Sequence, residues 1–165
     1  MMGRATRGLL TALSVIVTAA IIALGGWFGG LYWDRVETNA AQSARAELAR
    51  LAAEQVPQIF GYDYQTVERS LTEAYDLLTP EYRREFRDRS ANDIIPQARE
   101  RQVVSQANVV GAGVLEAGRT SGSVLVFMNR TVTDESKQPV YDGSRLRVDY
   151  QKVDGKWLIN YITPI

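Results

Sequence analysis

From Gly8 to Trp33 the chain carries 26 consecutive residues without a charge, bounded by Arg7 and Asp34. As a helix this run reaches about 39 Å, enough to cross a hydrocarbon core of ~30 Å with its ends in the interface. Its most apolar part is Leu9 to Leu24, followed by Trp27, Phe28, Tyr32 and Trp33, the aromatic rings that suit a headgroup belt. A cleaved signal peptide has an apolar stretch of roughly 7–15 residues ending in a small-x-small site. Here bulky aromatics stand at that end, and the absence of cysteine excludes a lipoprotein anchor. The expectation is an uncleaved single-pass anchor over 8–33, preceded by a short cytoplasmic stretch, 1–7.

Arg4 and Arg7 before the span, against Asp34, Arg35 and Glu37 after it, set the orientation. Positive-inside places the N-terminus in the cytoplasm and the rest outside, as an extracytoplasmic or periplasmic domain on the cell (inner) membrane. Gly25, Gly26, Gly29 and Gly30 contain two overlapping small-xxx-small spacings. On a helix these form a candidate strip for close packing of a partner helix; the competing reading is that they loosen the helix near the interface.

Charge and chemistry narrow the function. Lys plus Arg equal Asp plus Glu at 19 each, so there is no global basic field for nucleic acid. With no cysteine or histidine, thiol nucleophiles, disulfides, ordinary zinc sites and Ser-His-Asp or Cys-His arrangements are excluded. No acid–base pair stands at a recognisable spacing. The expectation is no enzyme, no cofactor and no metal.

Beyond the anchor, 34–56 is rich in Ala, Arg, Glu and Leu and reads as a membrane-proximal helix, with Ala44, Leu48 and Leu51 on one stripe and Pro57 and Gly61 at its end. Val67, Leu71, Ala74, Tyr75 and Leu78 mark an amphipathic helix. Thr79-Pro80-Glu81 reads as N-cap, N1 proline and first-turn acid of a third helix carrying Arg83, Arg84, Arg87 and Arg89. That run is either a basic patch or, more simply, a solvated face balanced by Glu81, Glu85 and Asp88. Pro96 interrupts the helical pattern.

From Val103 the period becomes 2. Val103 to Glu116 reads as a strand bent at Gly111 and Gly113; Val124 to Val132 reads as a central strand whose apolar run, Val124 to Met128, suggests burial on both faces. Leu146, Val148 and Tyr150 alternate with Arg145, Arg147, Asp149 and Gln151 in a third. Asp154-Gly155 predicts a two-residue type I′ hairpin turn, and counting outward pairs Lys152 with Trp157, Tyr150 with Ile159 and Val148 with Tyr161. Helices followed by short-turned strands make an α+β fold class. The expected architecture over 57–165 is a cone-shaped domain of the nuclear transport factor 2-like/cystatin-like kind, about three helices packed on a curved four-stranded antiparallel sheet. Such a cone can enclose an apolar pocket, here lined by Val126, Met128, Tyr150, Trp157 and Tyr161; the competing reading is that these side chains fill the core.

Four segments carry a narrower resemblance: Gln58 to Tyr64, Ile94 to Ala98, Val124 to Arg130 and Tyr141 to Val148. Together with the anchor they resemble the Mce-associated membrane proteins of mycobacteria and related actinobacteria over roughly residues 36–165. The resemblance implies an accessory protein that assembles or stabilises an Mce-type lipid-import transporter in the cell envelope. Its implied partners are the membrane, transporter subunits or other Mce-associated proteins, and lipid. That family offers no catalytic residues to transfer. The alternatives are an extracytoplasmic module that binds lipid or another hydrophobic ligand, and a scaffold subunit of a type IV secretion-like system, which shares the plan of anchor plus cone.

Overall fold

The computed structural model describes residues 41–165. The expected span and Gly25, Gly26, Gly29 and Gly30 lie outside the described residues. Among those described, no helix is long and apolar enough to cross a membrane.

Among the described residues the first helix, α1, covers 41–60. Ala44, Leu48, Ala52, Val56 and Ile59 recur every three or four residues on it and are all buried, so its apolar stripe belongs to the core of the domain. Pro57 does not end it. Proline lacks an N–H, but its carbonyl still accepts from Gly61 N at 2.8 Å, closing the final turn. A β-carbon at 61 would lie 2.7 Å from that same carbonyl oxygen, so glycine is the residue that lets the chain leave.

A two-residue strand, β1 (Tyr62–Asp63), precedes helix α2 (Val67–Ala74), which tightens into a 3-10 turn at Tyr75–Leu77. Val67, Leu71, Ala74 and Leu78 are buried, as the amphipathic spacing requires. Helix α3 (Pro80–Arg89) starts as its sequence predicts, with Thr79 Oγ1 accepting from Tyr82 N at 3.4 Å and proline in the first turn. Pro96 does not break the helical path. A π-helical turn, Ser90–Ile94, joins α3 to α4 (Ile95–Glu100) without interruption. Proline cannot donate to the carbonyl four residues back and its ring crowds that carbonyl; the wider turn just ahead gives the space. Ser90 is fully buried within it and donates to Phe86 O at 2.7 Å.

The sheet is curled and antiparallel throughout, in the order β1-β2-β3-β4-β5, with β2 Val104–Ala117, β3 Ser121–Thr133, β4 Pro139–Val153 and β5 Lys156–Pro164. It therefore has five strands rather than the expected four. The extra one, β1, is two residues long, too short to show a period, and exists through pairing of Tyr62 with Ser105 and Asp63 with Val104. The β2 register shifts at Val110, beside Gly111, and again at Leu115. These bulges bend and twist the strand, supplying the curl.

One face of the sheet meets the helices. Val124, Val126 and Met128 of β3, Leu146, Val148 and Tyr150 of β4, and Trp157, Ile159 and Ile162 of β5 are buried there. The apolar run of β3 is thus buried on one side only: Phe127 is 42% exposed on the other. Central position in the sheet buried the backbone of β3, and the helices cover a single face.

Asp154 (φ 50°) and Gly155 (φ 81°) form the expected turn with both residues in the left-handed region. Lys152 pairs with Trp157 and Tyr150 with Ile159, as the turn geometry predicts. The next pairing differs, because a bulge at Asn160 places Tyr161 opposite Asp149 and Ile162 opposite Val148. One inserted residue turns Tyr161 out of the buried row and brings Ile162 into it. Tyr161 is 44% exposed and its ring lies 5.2 Å from that of Tyr82 on α3.

Candidate interaction surface

Five side chains are expected to line an apolar pocket. Val126, Met128, Tyr150 and Trp157 are part of the buried core, and Tyr161 is half-exposed at the sheet edge. Trp157 Nε1 donates to Glu47 of α1 at 3.2 Å, and Lys152 lies 5.3 Å from the centre of the indole ring. Burial holds the Tyr150 phenol well above the ordinary tyrosine range, so it stays neutral. Three of the four arginines of α3 are engaged locally: Arg89 with Glu85 at 3.1 Å, Arg83 with Asp76 at 3.7 Å, and Arg87 5.4 Å from the ring centre of Tyr75. These are the balanced surface contacts of a solvated helix.

The face of the sheet turned away from the helices is a different matter. Its rows are set by the register: Glu116, Ser123 and Asp149 in one; Gly113, Leu125 and Arg147 in the next; Gly111, Phe127 and Arg145 in a third. The two glycines leave β2 low on this face. Phe127 lies over one of them, its Cδ2 3.8 Å from where a β-carbon of residue 111 would stand. Val110, pushed out by the first bulge, is 59% exposed, and Tyr141 further along is 78% exposed. Val110, Phe127, Asn129 and Arg145 border a shallow hollow of about 280 Å³.

Toward the β2–β3 hairpin the same face becomes polar. A groove of about 740 Å³ crosses four strands, taking Glu116 from β2, Ser123 from β3, Arg147, Asp149 and Gln151 from β4 and Asn160 from β5. Arg147 Nε donates to Asp149 Oδ1 at 2.9 Å. Its guanidinium is held further into the charged form by that hydrogen bond and by the Asp149 charge, with Glu116 adding to the effect. Sequence alternation places Arg147 and Asp149 on one side of β4. Their juxtaposition with Glu116 and Ser123 follows from the ladders: Glu116 pairs with Ser123 next to the β2–β3 turn and Ser123 pairs with Asp149, a match between strands that no local pattern announces. Among the described residues no cluster of three acidic side chains could hold a metal ion.

No protein-family profile matches the chain. It is similar to the Mycobacterium tuberculosis protein called outer membrane protein Rv1973, 28% identical over 158 residues covering 96% of this chain and 94% of that one. It is also similar to an uncharacterised protein of the same organism, 27% identical over 94% of this chain and 72% of the relative. Among solved structures, an IcmL-like type IV secretion system protein from Legionella pneumophila superposes with a TM-score of 0.62 at 12% identity, over 73% of this chain and 93% of that one. The periplasmic domain of DotI gives 0.62 at 11%, over 73% and 94%. VirB8 of Agrobacterium tumefaciens gives 0.52 at 14%, over 68% and 85%. The chain thus has mycobacterial relatives, one of them named as a membrane protein, and its α+β domain has the fold of periplasmic domains of type IV secretion proteins.

Proposed function

We propose that this chain is a non-catalytic scaffold subunit of a multi-protein assembly in the cell envelope, anchored by its N-terminal span with the α+β domain outside the cell membrane. The observation that carries this reading is the division of the sheet: the helix-covered face is filled by Val126, Met128, Tyr150 and Trp157, while Val110, Phe127 and Tyr141 stand exposed on the face that, among the described residues, no helix covers. A carrier of hydrophobic ligands needs its cavity on the inside; a docking module needs its apolar side chains on the outside. The plan of anchor plus curled sheet, which we read as a cone of the nuclear transport factor 2-like kind, supports a scaffold of the secretion-system type, by analogy of fold. A second partner set, the subunits of an Mce-type lipid-import transporter, is favoured by the four sequence segments that resemble Mce-associated proteins and by the mycobacterial origin of the relatives.

Photocrosslinking from position 127 in native membranes, followed by mass spectrometry, tests both. Crosslinks to secretion-type or Mce-type subunits identify the assembly, and Phe127→Asp should abolish recovery of the complex while leaving the thermal midpoint within a few degrees. Copurification of a stoichiometric lipid that disappears on Val126→Phe, with the complex unaffected by Phe127→Asp, would replace the scaffold by a lipid-binding module.

A further inference from the structure

The polar groove holds an unsatisfied group. Ser123 is 1% exposed, and its Oγ has no hydrogen-bond partner. Buried hydroxyls are nearly always paired, and an unpaired one beneath the lining of a groove is satisfied by a ligand atom once the side chains that cover it part. Ser123 lies in the cross-strand row between Glu116 and Asp149, which pair with it from the two neighbouring strands. The backbones of those outer strands stand about 10 Å apart, so two carboxylates flank the hydroxyl from either side, that of Asp149 held by Arg147.

The charge of the lining selects the ligand. Two carboxylates share one guanidinium, that of Arg147, which is bonded to Asp149 at 2.9 Å. The remaining lining side chains are uncharged, including Gln151 and Asn160. The groove therefore carries a net charge of −1, and only a cation balances it. A volume of about 740 Å³, spread across four strands, is far more than one ammonium group fills and suits an extended segment bearing that cation. The aromatic residue in the lining, Tyr150, is 2% exposed and offers no open ring face to a sugar.

We propose that this groove receives a lysine or arginine side chain on an extended segment of a protein partner, seated between Glu116 and Asp149 and donating a hydrogen bond to Ser123 Oγ. The identity of the partner rests on the scaffold reading, but the site is tested without it. The full chain in detergent micelles, labelled with ¹⁵N, is titrated with a blocked Gly-Lys-Gly peptide, the same peptide with its lysine acetylated, and maltotetraose. Saturable shifts of the amides of 116–123 and 147–151 are expected with the lysine peptide alone, in the millimolar range that one charge-assisted contact provides. Glu116→Gln should weaken this binding about tenfold. Ser123→Ala should weaken it as well while leaving the thermal midpoint unchanged or raised, because the lost hydroxyl makes no internal hydrogen bond. Equal binding of the acetylated peptide, shifts with maltotetraose only, or no saturable shift up to about 20 mM peptide would each overturn the proposal, whatever crosslinking at Phe127 returns.

Discussion

Leu48 of α1 occupies the space that a side chain at position 122 of β3 would need: a β-carbon on Gly122 would stand 2.5 Å from Leu48 Cδ1 and 3.0 Å from the Glu116 carbonyl oxygen. Gly122→Ala should therefore destabilise the domain by about 1–3 kcal/mol through overpacking. Leu48→Ala alone should cost about 2–5 kcal/mol as a cavity. Urea melts of the two single variants and the double should show a combined loss smaller than their sum, since each change relieves the other.

The turn at Asp154-Gly155 makes a second test. Gly155 sits at φ 81°, and a branched β-carbon is strained there even though nothing else lies nearby. Gly155→Val should lower stability by about 1–3 kcal/mol, read from the same melts. An unchanged midpoint would mean that the turn is not type I′ in solution.

Acid should act through Asp134. Hydrogen bonds from Ser136 and Arg101 hold its carboxyl down at about 2, below the ordinary 3.8. A carboxyl depressed in the folded state adds stability above its unfolded value, and that stability is lost as pH falls from about 4 toward 2. Asp134→Asn should be less stable than the parent at pH 6, and the gap should close over that acid window. A gap that stays constant from pH 6 to pH 2 would remove Asp134 as its source.

Deleting Asn160 tests the bulge in β5. Its removal joins Ile159 directly to Tyr161 in an unbulged ladder, so Tyr161 stays opposite Asp149 and Ile162 stays opposite Val148 in the buried row. The cost in a thermal melt should be about 1 kcal/mol, that of the hydrogen bond Thr79 donates to Asn160, and a loss above about 3 kcal/mol would mean that the register slips instead.

How much of the fold is legible in the chain divides along a physical line. Repetition at 3.6 or 2 residues, the cap at Thr79 and the Asp154-Gly155 turn are local, and each of them appears in the structure where the chain pattern puts it. The departures arise where distant partners decide the outcome. Pro96 is accommodated by a turn of different pitch, β1 exists only through Ser105 and Val104, and the bulges at Leu115 and Asn160 alter which side chains share a row. The groove around Ser123 is hidden from sequence for that reason. Its residues come from four strands, and they meet only through the pairing of those strands and the inserted Asn160 in β5.

Helix α1 has a mechanical meaning as well as a packing one. Ala44, Leu48, Ala52, Val56 and Ile59 lock it into the domain along most of its length. Tension applied to the chain ahead of Ala44 would be carried in shear across that whole interface instead of being absorbed by a slack tether. Displacement at that end of the helix would then reach the sheet directly, through the contact of Leu48 with the strand at Gly122.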